Sequence, residues 1–267
     1  MIHPSRFFRL PSGVVVLATM ALVATAQAAP VQVTVTVENL APANSIAFAP
    51  LHLGFHQGVF DAFNAGQAAS PGIVSVAEGG SGTVWQADFA AAQPNATRGV
   101  IGGALLPGQS RSAVFTVDPS LNRYFSFASM VIPSNDYFIG NDSPTEYGLF
   151  DANGQLQINA INLTAGDIWN AGSEAFSVAG AAFLVNGNND LRTDENGVVG
   201  LRFAPLSGFN GETTAAGYVF DSQLSAGTSI YRIGFAVAAV PEPQTYVLMA
   251  AALLTLAGLG RRRAARV

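Results

Sequence analysis

The chain has 267 residues, 49% of them hydrophobic and 11% charged, a formal net charge of −5, no cysteine and no lysine. This length allows one or two domains, and the lack of cysteine excludes a disulfide-stapled scaffold. Half of the arginines lie near the two ends, so the middle is acidic, which excludes the clustered basic surface that nucleic acid requires.

Residues 1–28 read as a secretory signal peptide. Arg6 and Arg9 supply the positive start, residues 14–24 are apolar, and Ala26 and Ala28 flank Gln27 in a small-x-small cleavage site. The exported domain, residues 29–239, begins with a clean alternation. Val31, Val33, Val35 and Val37 share one face and Gln32, Thr34, Thr36 and Glu38 the other, the period of a half-buried strand. Residues 46–55 read as a second strand, interrupted at Pro50. Residues 60–69 read as a short helix that ends before Pro71. Residues 72–77 fit strand and helix equally, and the glycines at 79, 80 and 82 mark a flexible loop. They lack the preceding strand and following lysine of a phosphate loop.

Alternation returns at 109–117, with Ala113, Phe115 and Val117 on one face, and Asp118-Pro119-Ser120 turns the chain. Residues 124–132 then form the most apolar strand. It stops at Pro133, which has no donor for a central ladder. Ser134, Asn135 and Asp136 make a polar turn, and residues 137–139 resume the apolar pattern. A carboxylate, Asp136, thus stands at the end of a buried strand. Residues 147–150 and 156–163 flank a hairpin-type turn, Asp151-Ala152-Asn153-Gly154. Residues 181–185 and 198–203 read as strands around an Asn- and Asp-rich loop, 186–197. Residues 230–237 close the domain. About eight or nine strands with little helix predict an all-β fold, an antiparallel β-sandwich.

The chemistry legible from residue types is sparse. The 186–197 loop carries Asp190, Asp194 and Glu195 without the spacing of an EF-hand. His52 and His56 are four apart, but on a strand and without the glutamate of a zincin. No Gly-x-Ser-x-Gly nucleophile elbow is present. No catalytic residues are assigned, and the expectation is a protein that is not an enzyme.

The last part, residues 240–267, has three features in order. Pro241, Glu242 and Pro243 come first, then an apolar run at 246–259, then Arg261, Arg262, Arg263 and Arg266. The run is short for a membrane span of about 20 residues, and it reads as a short C-terminal transmembrane helix. The arginines would stay cytoplasmic. This tail resembles the PEP-CTERM sorting signal of Gram-negative bacteria. The resemblance implies an inner-membrane anchored precursor, an exosortase-type processing protease as partner, and release to the cell surface or a polysaccharide-rich extracellular matrix.

The exported domain also carries a resemblance. VTVTVENL at 33–40, LGFH at 53–56, SMVIPSNDYFIG at 129–140 and NAGSE at 170–174 resemble the spondin N-terminal domain in its bacterial form. That family implies a β-sandwich similar to C2 domains, roles in cell-matrix adhesion, and a bound calcium ion. Carried over residue by residue, the resemblance makes Asp136 one calcium ligand. The family's Asp-Ala-Gly-Thr motif reads here Asn170-Ala171-Gly172-Ser173, so Asn170 offers a carbonyl where the family has a carboxylate. The family's third carboxylate falls nearest Asp118, and Glu174 completes the oxygen set expected to converge. The functional expectation is a non-catalytic surface or matrix protein that binds polysaccharide or a surface protein. The competing reading is a secreted carbohydrate-active enzyme, which would place two carboxyls across a groove at about 5–9.5 Å.

Overall fold

The structure is a computed structural model, and it describes residues 29–240. The expected signal peptide with Ala26 and Ala28 lies outside the described residues. So do the expected transmembrane helix, Pro241 to Pro243 and the terminal arginines. Among the described residues no helix is long and apolar enough to cross a membrane.

In chain order the elements are β1 (Val31–Asn39), β2 (Ala47–Phe48), β3 (Leu51–His56), α1 (Pro71–Gly79), α2 (Thr83–Ala92), β4 (Thr97–Ile101) and β5 (Ser110–Val117). They continue as β6 (Tyr124–Ile132), β7 (Tyr137–Gly140), β8 (Tyr147–Gly148), β9 (Ala160–Thr164), β10 (Trp169–Asn170), β11 (Gly200–Leu201) and β12 (Ser229–Ala239). Two antiparallel sheets result. The smaller runs β5-β1-β12-β9, and the larger runs β11-β10-β7-β6-β3-β4, with β2 and β8 also paired to β6.

The expected all-β, antiparallel two-sheet fold is therefore present, and its inner core follows from the alternation. Val33, Val35 and Val37 of β1 and Tyr231, Ile233 and Phe235 of β12 face Phe55, Phe125 and Phe127 of the larger sheet. Phe125 packs edge-on against Phe235, with ring centroids 4.9 Å apart. In β6 every residue after Tyr124 is buried, because the strand is covered on both sides. Phe125, Phe127 and Val131 face the inner core, whereas Ala128 faces a second apolar layer built with Ile73, Val76, Trp85 and Phe89 of the helices. Two covered faces explain a continuous apolar run in place of alternation.

The helices are the main departure from the sequence reading. Residues 57–70 contain no helix, and Pro71 opens one instead of closing one. Ser70 caps α1, its side chain accepting from the Ile73 N–H. Proline suits the first helical turn because its missing N–H would have no partner there anyway. Gly80, at φ +68°, ends α1 in the left-handed conformation, so the expected flexible glycine loop is a helix cap. Residues 181–185 and 198–203 were expected as strands. They reduce to isolated bridges, Ser134 with Ala182 and Leu184 with Thr214, and to the two-residue β11.

Candidate functional site

Asp136 closes the turn between β6 and β7. Register brings its neighbours to it, since β10 pairs β7 with Asn170 opposite Tyr137. The chain leaving β10 therefore starts beside Asp136, whose backbone carbonyl accepts the Ala171 N–H at 3.0 Å. Gly172 then reverses the chain at φ +66°; a Cβ there would stand 2.6 Å from Val198 N. Only glycine serves both the backbone sign and the close approach.

Each residue of the turn grips the segment that follows β10, Asn135 and Asp136 through their side chains and Ser134 through its carbonyl. Asp136 is fully buried. Its Oδ1 accepts a hydrogen bond from the Asn170 side-chain amide, and its Oδ2 accepts from the Ser173 N–H at 2.9 Å and the Glu174 N–H at 3.2 Å. Asn135, also fully buried, donates through Nδ2 to Glu174 Oε1 and to the Ser177 carbonyl, both at 3.0 Å, and its Oδ1 accepts the Ser177 N–H. The Ser134 carbonyl accepts the Ala182 N–H, and the Ser134 hydroxyl donates to the Val131 carbonyl. Three consecutive side chains and carbonyls thus fix residues 170–182.

The site is acidic but neutralised from within. Burial pushes the Asp136 carboxyl up to about 6; the Glu174 and Ser173 N–H groups pull it back, and the charges of Glu195 and Glu78 push it up. Burial likewise pushes Glu174 up to about 7, against the Asn135 hydrogen bond and with added repulsion from Glu78 and Asp136. Two cations reach this cluster, Arg202, which pairs with Glu195 Oε1 at 3.7 Å, and Arg192. Arg192, from the 186–197 loop, donates to Glu78 Oε1 of α1 at 2.9 Å, to Asp194 Oδ1 at 2.8 Å and to the Ser173 carbonyl at 3.3 Å.

Of the four oxygens expected to converge, three do. Asp136, Asn170 and Glu174 meet, while Asp118 lies beyond the other end of β6. It caps the turn before that strand, its Oδ1 accepting from the Ser120 N–H and hydroxyl. A nine-residue strand at about 3.3 Å per residue separates the two places by roughly 30 Å. Asp118 therefore stands apart from the set in which the family resemblance placed it.

The donor set does not fit a calcium ion, which takes six to eight oxygen ligands. Both Asp136 oxygens already accept from N–H donors, and Asn170 turns its NH₂ toward Asp136 while its own oxygen accepts the Gly172 N–H. Two buried oxygens at the site have no hydrogen-bond partner, Ser173 Oγ and Glu174 Oε2. Among the described residues no group of three or more His, Asp or Glu side chains is placed to hold a metal.

Sequence reasoning missed Asn135, Glu78 and Arg192. Their partners are distant in the chain, and no local pattern announces them. The histidines are where the strand reading put them, on β3. His52 Nε2 is 3.2 Å from the Gly80 carbonyl, and His56 bridges Ser126 Oγ and the Gly58 N–H.

Next to the turn lies a cleft of about 410 Å³, lined in part by Gln109, Arg111, Ile132, Phe183, Thr214 and Tyr218. Phe183 is 40% exposed and holds φ +66°, an outlier for a bulky side chain. Its carbonyl accepts the Ala215 N–H at 2.8 Å, and the bond that follows from Val185 N–H to Thr213 keeps the two loops together.

The fold is an antiparallel two-sheet sandwich in which one buried polar turn pins a long loop segment. Residues 39–174 match the Spondin_N family, just over half of the chain, and the chain belongs to that family. Among curated proteins none matches it. Membership in the family points to an extracellular protein.

Proposed function

We propose that the chain is an exported, non-catalytic surface or matrix protein that binds polysaccharide at the cleft beside the Ser134-Asn135-Asp136 turn. The observation that carries this reading is Phe183, an aromatic ring held out at a cleft mouth by strained backbone. Strain of this kind persists where the surroundings enforce it, and it clusters at binding sites. An exposed ring can lie against the apolar face of a sugar, with Arg111 and Gln109 placed for its hydroxyls. The surrounding segment adds apolar surface: Phe176, Val185, Leu191, Val198 and Leu201 are also exposed. Against a hydrolase stands the burial of the two carboxyls with raised pKa, Asp136 and Glu174, which a substrate would need to touch.

Delivery to that setting follows from the tail. In this reading the exosortase-type protease handles Pro241-Glu242-Pro243, and the chain is an inner-membrane precursor until then. Replacing the three residues with alanine should leave unprocessed protein in the membrane fraction.

The binding test is a glycan array with the protein and its Phe183→Asn variant. Asparagine tolerates positive φ, so the fold is kept while the ring is lost. Loss of polysaccharide binding at an unchanged melting temperature is the expected result. Binding only to a surface protein would redirect the reading, and release of cleaved sugar would overturn its non-catalytic part.

A further inference from the structure

We infer that the Asp136 end of this domain is held by its own tethered donors, the Asn170 amide and the Arg192 guanidinium, and folds fully without a divalent cation. The charge of Glu78 bears on both Asp136 and Glu174, and that of Asp136 bears on Glu174. A cluster of this kind needs compensation.

Three kinds of donor supply it. Backbone N–H groups of Ser173 and Glu174 meet one Asp136 oxygen, and the Asn170 NH₂ meets the other. Had residue 170 been aspartate, two carboxyl groups would face each other across that contact, and a shared proton or a cation would have to lie between them. An amide needs neither. The guanidinium of Arg192 takes the outer position, joining Glu78 on α1 to Asp194 and to the Ser173 carbonyl. Its fork of donors suits several oxygens at once. Arg192 is also 39% exposed on its side chain, and it fastens the 186–197 loop across the same end. The loop therefore brings its own charge to the site, where Ser173 Oγ and Glu174 Oε2 are the buried oxygens left without a donor.

The test is a pair of melting curves, in chelator and in 10 mM calcium chloride, on the whole protein and on Asn170→Asp/Arg192→Gln. The unsubstituted protein should melt at the same temperature in both. The double variant restores a carboxylate and removes the resident cation. It should melt lower in chelator and regain about 3–10 °C in calcium, for a site with the affinity usual outside cells. If the double variant is unfolded in chelator, calcium-dependent recovery of a cooperative transition is the same result. A calcium-dependent rise in the unsubstituted protein overturns the inference. So does a double variant that ignores calcium, since Asn170 and Arg192 would then not occupy a cation's place.

Discussion

Residues 110–140 and 170–228 build the same domain by different means. The first stretch is almost all strand. Its backbone groups meet in regular ladders, and its side chains, led by Phe125, Phe127 and Phe138, fill two apolar layers. The second stretch has two two-residue strands and short 3-10 turns. It is held by single hydrogen bonds to the Ser134-Asn135-Asp136 turn, by loop-to-loop carbonyl contacts, and by Leu184, Leu206, Phe209 and Phe220, which reach the inner core one at a time. A ladder loses little when one residue changes. A polar turn that fixes a dozen residues loses its whole grip at once, and loops held that way open at free energies below global unfolding.

That contrast ranks the expected effects. Phe127→Ala removes a fully buried ring from the inner core. It should cost about 3–5 kcal/mol, seen as one cooperative shift of the whole denaturation curve. Asp136→Ala leaves the Asn170 amide and the Ser173 and Glu174 N–H groups without their acceptor. Unpaired buried donors cost about 1–3 kcal/mol each before relaxation, and a net loss of about 2–4 kcal/mol is expected. It should appear first as protease cleavage within 170–201, ahead of global unfolding.

The third effect is in pH. Unfolded, the Asp136 and Glu174 carboxyls release protons near 3.8 and 4.5; folded, they hold them to about 6 and about 7. The folded state therefore binds more protons across that window. Stability falls as pH rises from about 4 to about 7 on their account. His56 works the other way. Burial pushes it from 6.5 down to about 4, so its contribution rises with pH over the same range. Glu174→Gln separates the two: the stability of the parent relative to the variant should decline between pH 4.5 and 7. A flat difference would remove Glu174 from the buried set. The smallest effect is Arg192→Gln, within about 1 kcal/mol because the ion pairs are partly exposed. It should be read as faster exchange in the 186–197 loop.

What the sequence revealed divides along the same line. β1, β5, β6 and β12 were legible because period-2 alternation or an unbroken apolar run dictates them. The helices at 71–92 were not, since Pro71 signals a stop as readily as a start and Gly54 gives no hint of the Phe89 ring lying against it. A two-residue strand such as β10 has no period to detect, yet its register decides what stands beside Asp136. The importance of Asp136, Asn170 and Glu174 was carried by the family resemblance, whose motifs mark the two segments that meet. Asn135 and Arg192 stayed hidden because they act on residues about 40 and 114 positions away, a distance no local pattern spans.

The buried Ser134-Asn135-Asp136 turn holds the loop segment that follows β10 in place. Native-state hydrogen exchange on the Asp136→Ala variant tests this most directly. Protection of the Ser173, Glu174 and Ser177 amides should drop sharply while the β1 and β12 ladder amides keep theirs to within the global loss of stability. Equal loss everywhere, or unchanged protection at those three amides, would contradict the account.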